Sequence, residues 1–203
     1  MPSPAPATQP VVLILASGRG ERFLASGGQT HKLKALLAGK PVLQHTLDTV
    51  RASGLPWHLE DAGHPGMGDS IAAAVRAHAN APGWLVLPGD LPLVKASTLL
   101  RVAQAMAEAQ ERPGGTGGVA DVVVPEFRGQ RGHPVGFSAA CGPALMALTG
   151  DKGAAAVVKS HRVQALPVGD EGCVTDVDTL AALQAAERLI SGLDDHAAGD
   201  ARA

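Results

Sequence analysis

The sequence predicts a three-layer α/β fold with a mostly parallel, mixed central sheet. Three short runs are almost wholly apolar: Val11 to Leu15 (VVLIL), Trp84 to Leu87 (WLVL) and Asp121 to Pro125 (DVVVP). A strand apolar on both faces needs cover on both sides, which buried parallel sheets provide. Between these runs lie stretches with apolar residues at helical spacing, and strands alternating with helices build a sheet between two helical layers.

The elements follow in order. After the first strand comes a glycine loop, ASGRGERFLASGGQTHKL. Pro41 to Ala52 then reads as a helix, with Gly54 as its stop signal. Ser70 to His78 is a second helix, which Ser70 could cap. Ser97 to Gln110 is a third, with Ser97 suited to the N-cap and Leu99, Leu100, Val102, Ala103 and Met106 as its apolar face. Pro113 to Gly118 reads as a flexible break. Pro134 to Ser138 and Val163 to Val168 are further strands, Pro143 to Leu148 and Gly153 to Lys159 short helices, and Leu180 to Ile190 a closing helix. The expected organisation is one domain over residues 11–190, between a disordered segment 1–10 and a flexible tail 191–203.

Composition narrows the function. Aromatic residues make up 2% of the 203-residue chain and the net charge is -2. Neither stacking platforms nor a basic footprint for nucleic acid is present. No apolar run approaches the ~18 residues that would span a bilayer, and the N-terminal segment lacks the pattern of a signal peptide. A cytoplasmic location is expected. Cys141 and Cys173 are too few for a disulfide framework or zinc site and read as buried thiols.

Ligands of open α/β sheets collect beyond the C-terminal ends of the strands, where two candidate motifs fall. Gly18, Arg19, Gly20 and Arg22, with Lys32 further on, form a loop that could close its backbone around phosphate while the cations neutralise charge. Alone, this loop is equally a tight turn with solvated charges. It is neither a P-loop nor the dinucleotide fingerprint, since Phe23 stands where a third glycine would fall. Asp90 in PGDLPLV, flanked by Gly and Pro, is placed either to hold a hard cation or to close a turn. No Ser-His-Asp or Cys-His constellation is evident.

The succession LASGRGERF, HKL and GKPVL resembles the opening signature of the MobA-like NTP-transferase family, and PGDLP and DVDT (Asp176 to Thr179) resemble its later motifs. The resemblance implies a Rossmann-like nucleotidyltransferase fold using Mg²⁺. It places Leu15, Ala16, Ser17, Gly18, Gly20, Arg22, Lys32, Ser70 and Asp90 around the nucleotide, with Arg22, Lys32 and Asp90 catalytic. Asp90 and Asp178 would be the metal ligands. RGQRGHPVGFS, LTGDKGAAAVV and GMGDSIAAAV are similar to segments of the family's molybdenum cofactor cytidylyltransferase branch, which implies His133, Pro134 and Asp151 on the acceptor side. The implied reaction moves CMP from CTP to molybdenum-bound molybdopterin, with a molybdoenzyme as a further partner. Guanylyl transfer on the same fold is the nearest alternative. A non-catalytic molybdenum cofactor carrier or maturation chaperone is the other, because the chain between Leu55 and Gly66 is some twenty residues shorter than the family's second strand and helix require.

Overall fold

A computed structural model describes residues 9–110 and 120–200. The sequence-predicted break at Pro113 to Gly118 lies outside them, as do residues 1–8 and 201–203.

The main sheet begins with β1 (Val11–Leu15), which pairs in parallel with β4 (Trp57–Glu60) on one side and β5 (Gly83–Pro88) on the other. Beyond β5 lies β8 (Val135–Ser138), antiparallel to both β5 and β6 (Val122–Phe127). β9 (Val163–Pro167) runs parallel to β6 along the far edge, and β7 (Gln130–Arg131) folds back on the end of β6. One strand between parallel neighbours is reversed, so the sheet is mixed as expected. A separate two-stranded hairpin joins β2 (Leu36–Leu37) to β3 (Lys40–Pro41).

Alternation along β1 divides the core. Val12 and Ile14 pack with Leu85 and Leu87 against Leu47 and Val50 of α2 (Val42–Ser53) and Leu99, Val102 and Met106 of α4 (Ala96–Gln110). Val11, Leu13 and Leu15 point the other way, with Trp84 and Val86. They meet Ile71, Ala74 and Val75 of α3 (Met67–Ala77), Leu145 of α5 (Gly142–Met146) and Val157 of α6 (Ala155–Ser160). Successive side chains of a strand face opposite sides, so one five-residue run serves two helical layers. A third cluster lies off the sheet, where Phe23 of α1 (Glu21–Ala25), Leu37 and Val42 pack with Val177 and with Ala186 of α7 (Leu180–Asp200).

Four expectations change. The segment thought too short for a second strand supplies one: β4 pairs Trp57 to Glu60 with Val12 to Leu15. No helix follows it before α3. Second, α3 begins at Met67, so Ser70 does not cap it but returns its hydroxyl to the Gly66 carbonyl at 3.1 Å. Third, α4 begins at Ala96, one residue before the predicted cap Ser97. Its first turn is served from across the molecule by Asp170, whose carboxylate accepts from the Lys95 N–H (2.9 Å) and the Thr98 hydroxyl (2.6 Å). Finally, the closing helix does not stop at Ile190 but runs on to Asp200.

Both cysteines are free and 0% exposed, and burial pushes each thiol up to about 11. At pH 8 roughly a thousandth of each is then thiolate, the form that reacts. Native protein should take up no disulfide reagent over minutes, and two equivalents once denatured. Rapid native labelling would contradict the burial.

Candidate active site

The C-terminal ends of β4, β1 and β5 open into a cleft of about 400 Å³. The loop after β1 forms its roof. Gly20 adopts φ +66°, a left-handed conformation that glycine takes without strain, and starts α1. His31 fastens this loop from beneath. Its Nδ1 accepts from the Leu33 N–H at 3.3 Å, so the ring proton sits on Nε2, which donates to the Gly18 carbonyl at 2.6 Å.

The floor comes from two distant segments. After β5, the Gly89 N–H donates to the Leu15 carbonyl (2.9 Å), which draws the PGDLP turn under the glycine loop. In the DVDT segment, Val177 is wholly buried and its N–H donates to the Asp90 carbonyl at 2.9 Å. Burying Val177 presents its neighbour Asp178 beside Asp90. Lys32, at the start of a short 3-10 turn (Lys32–Lys34), extends its ammonium between the two carboxylates. It bonds Asp90 Oδ2 and, at 2.5 Å, Asp178 Oδ1. Arg22, exposed on α1, reaches Asp178 Oδ2 at 2.6 Å.

These charges shift one another. Burial opposes the charge on Lys32, yet Asp90 and Asp178 together outweigh it and hold the ammonium above its ordinary range. Burial likewise lifts Asp178, but Lys32 and Arg22 prevail and it titrates below the usual carboxylate range. Asp176 goes the other way, raised by burial and by the neighbouring Asp178 and Asp90. The second oxygen of Asp90, Oδ1, is buried and has no hydrogen-bond partner.

Two hard carboxylates converging on one point, one with an idle buried oxygen, fit a magnesium-like cation. Among the described residues no group of three His, Cys, Asp or Glu side chains could hold a metal ion. The two carboxylates suffice for Mg²⁺, which keeps waters and takes its remaining oxygens from substrate phosphates.

The opposite wall is built by glycines. The Gly68 N–H donates to the Gly150 carbonyl at 2.7 Å, and Asp69 accepts from the Gly150 N–H at 2.9 Å. This docking of α3 on the loop after α5 brings Asp151 to the cleft beside Ser70. Below, Glu60 at the end of β4 is buried and faces His58 (3.5 Å) and His64 (3.1 Å), and His64 lines the cleft.

Of the residues singled out in the sequence, Leu15, Ser17, Gly18, Gly20, Arg22, Lys32, Ser70, Asp90, Asp151 and Asp178 line this one cleft. Ala16, His133 and Pro134 do not. The Ala16 N–H donates to the Glu60 carbonyl at 2.8 Å, and His133 lies deeper, with its N–H on the Cys173 carbonyl at 2.9 Å and Nδ1 buried without a partner. Burial holds its imidazole below the ordinary value, against a bond to the Val86 backbone and the charges of Asp90 and Asp176. His31, Glu60 and His64 were missed. The HKL triplet offered a signal for His31, but the histidine pair around Glu60 sits in a segment read as a deletion.

A sequence profile of the MobA-like NTP transferase domain matches residues 48–165, more than half of the chain. The chain belongs to the MobA-like NTP transferase family. Other proteins share this MobA-like sequence or fold. The bifunctional protein GlmU of Dechloromonas aromatica is 32% identical over 121 residues, 48% of this chain and 26% of that protein. The matched region thus spans about a quarter of the length of such relatives. Rv0371c of Mycobacterium tuberculosis H37Rv superposes with a TM-score of 0.69 at 25% identity, covering 89% of this chain and 99% of that one. Molybdopterin-guanine dinucleotide biosynthesis protein A of Archaeoglobus fulgidus shares the fold, with a TM-score of 0.64 at 18% identity over 90% of this chain and 99% of that one. No helix among the described residues is long and apolar enough to cross a membrane.

Proposed function

We propose that this MobA-like domain transfers a nucleoside monophosphate from an NTP to a phosphorylated acceptor, with CTP and molybdenum-bound molybdopterin as the favoured pair. The observation that carries the proposal is the convergence of Asp90, Asp178 and Lys32 beneath the glycine loop. The activity is assigned to residues 11–190, outside the segments 1–10 and 191–203, and to a cytoplasmic protein that delivers its product to a molybdoenzyme.

The cleft has a polarity that suits a nucleotide. Over β5 it is charged, with Arg22 and Lys32 to take phosphates. Over β4 it offers His64, Pro65 and Ser70 to the nucleoside, while Leu15, Ser17, Gly18 and Gly20 supply the backbone between, with Ala16 tied to the Glu60 carbonyl behind them. The acceptor enters along Asp151, while His133 and Pro134 stand deeper, His133 by Val86 and Cys173.

In the reaction, an acceptor phosphate oxygen attacks the α-phosphorus in line. The P–O bond to the β-phosphate breaks, and pyrophosphate leaves. Asp90 and Asp178 would hold Mg²⁺, which when bound neutralises charge on the triphosphate. Lys32 stabilises charge developing on the α-phosphate oxygens, and Arg22 that on the leaving pyrophosphate. Positioning and electrostatics suffice for such a transfer, with no covalent nucleophile.

Thermal unfolding with each of the four NTPs and Mg²⁺ tests this reading without the acceptor. A ligand at about 100 times its Kd stabilises by about 2.7 kcal/mol, which should raise Tm by about 5–10 °C. A shift with CTP alone supports the proposal. A shift with GTP alone moves it to guanylyl transfer. No shift with any NTP leaves the carrier or chaperone reading.

A further inference from the structure

We propose that Lys32 acts as a resident counter-ion that closes the divalent-cation site until a triphosphate arrives and draws it away. The inference rests on the assignment of Asp90 and Asp178 as metal ligands. It goes further by making the binding of metal and nucleotide mutually dependent.

The geometry leaves little choice. Lys32 is bonded to one oxygen of each carboxylate at once, Asp90 Oδ2 and Asp178 Oδ1. Its ammonium therefore sits at the point a cation shared by Asp90 and Asp178 would occupy. Coordination by Mg²⁺ or Mn²⁺ needs the same oxygens at about 2.0–2.2 Å. An ammonium and a dication within a few ångströms of each other, both on these oxygens, repel strongly even at the effective dielectric of a protein surface. The lysine must leave for the metal to enter.

Arg22 strengthens the closure. It takes Asp178 Oδ2 at 2.6 Å, so both oxygens of Asp178 are engaged by cationic side chains. The buried oxygen without a partner is Asp90 Oδ1. One oxygen of one carboxylate is a poor site for a hydrated dication, which needs several oxygen ligands. The displaced lysine also needs a new anion. Arg22 and Lys32 line the same cleft under the glycine loop, so a triphosphate there would present anionic oxygens to both. It would take the two cations off the carboxylates and add oxygens of its own to the metal. The pairing keeps two carboxylates and two cations mutually neutralised, and the nucleotide exchanges the partners.

The test uses the whole 203-residue chain and Mn²⁺, whose free form is read directly by electron paramagnetic resonance, each CTP sample being compared with a protein-free Mn²⁺–CTP blank. Without nucleotide, the wild-type protein should bind Mn²⁺ weakly, and CTP should tighten it. Lys32→Met keeps the length of the side chain and removes the charge. It should bind Mn²⁺ without nucleotide at least about tenfold more tightly than wild type. Adding Asp90→Asn to Lys32→Met should abolish that gain. If Lys32→Met binds Mn²⁺ no better than wild type while Asp90→Asn weakens the CTP-dependent binding, the metal assignment stands and the closure fails. Tight Mn²⁺ binding by the wild type without nucleotide overturns the closure by itself, even if Lys32→Met does not fold. If the wild type binds no Mn²⁺ with any NTP, the metal assignment falls, and the closure with it.

Discussion

Asp90→Ala lowers turnover by about a thousandfold or more and leaves thermal stability within about a kcal/mol of wild type. Two features make these effects separable. Asp90 is the carboxylate with an idle buried oxygen, so its removal leaves no new orphan on that side. Lys32 keeps its second partner, Asp178, and is not left as an unpaired charge. Activity, by contrast, loses a carboxylate proposed to hold the cation that neutralises the triphosphate. Pyrophosphate release measured beside a melting curve decides the matter. Turnover near the wild-type level would remove Asp90 from the mechanism, and a collapse of Tm would make it a structural residue.

Gly68→Ala destabilises the fold by about 3 kcal/mol, lowering Tm by about 6–12 °C. In an exposed helix interior the same change would stabilise by up to about 1 kcal/mol, because alanine is the better helix former. Here the added methyl would lie 2.8 Å from the Thr149 carbonyl oxygen and 2.9 Å from that of Gly150. Both obstacles are backbone, which cannot rotate aside, so the clash outweighs the propensity. Gly18 has nothing within 4 Å of an added Cβ, and Gly18→Ala should leave stability unchanged. Urea denaturation of the two variants gives the comparison. A loss below about 0.5 kcal/mol for Gly68→Ala, the scale of an ordinary surface change, would mean that α3 and its partner loop separate easily.

What the sequence revealed follows from how far each signal travels along the chain. VVLIL and WLVL are legible because a strand covered on both faces carries its burial in its own composition. Asp90 and Asp178 are legible because each lies in a short motif. The strand Trp57–Glu60 was not, since it is an edge strand whose hydrogen bonds come from β1 and whose last residue is a buried glutamate. Nothing in WHLE records that Ala16 and Ser17 would bond the Glu60 carbonyl. The start of α4 was misplaced for a related reason. Ser97 looked sufficient locally, but the cap is Asp170, and 75 residues separate it from Lys95. His31 stands in the HKL triplet, but that motif points to Lys32, and the bond from His31 to the Gly18 carbonyl exists only in the folded loop.

The bond from the Val177 N–H to the Asp90 carbonyl has a consequence for synthesis. Residue 178 emerges from the ribosome long after residue 90, and Val177 is anchored with Ala186 of α7. A nascent chain with its sheet largely formed would still lack the second carboxylate and the wall that aims it. On the proposed reading, such a chain would lack half of its cation site. In the proposed enzyme, occupancy of the complete cleft would therefore report that the closing helix has docked.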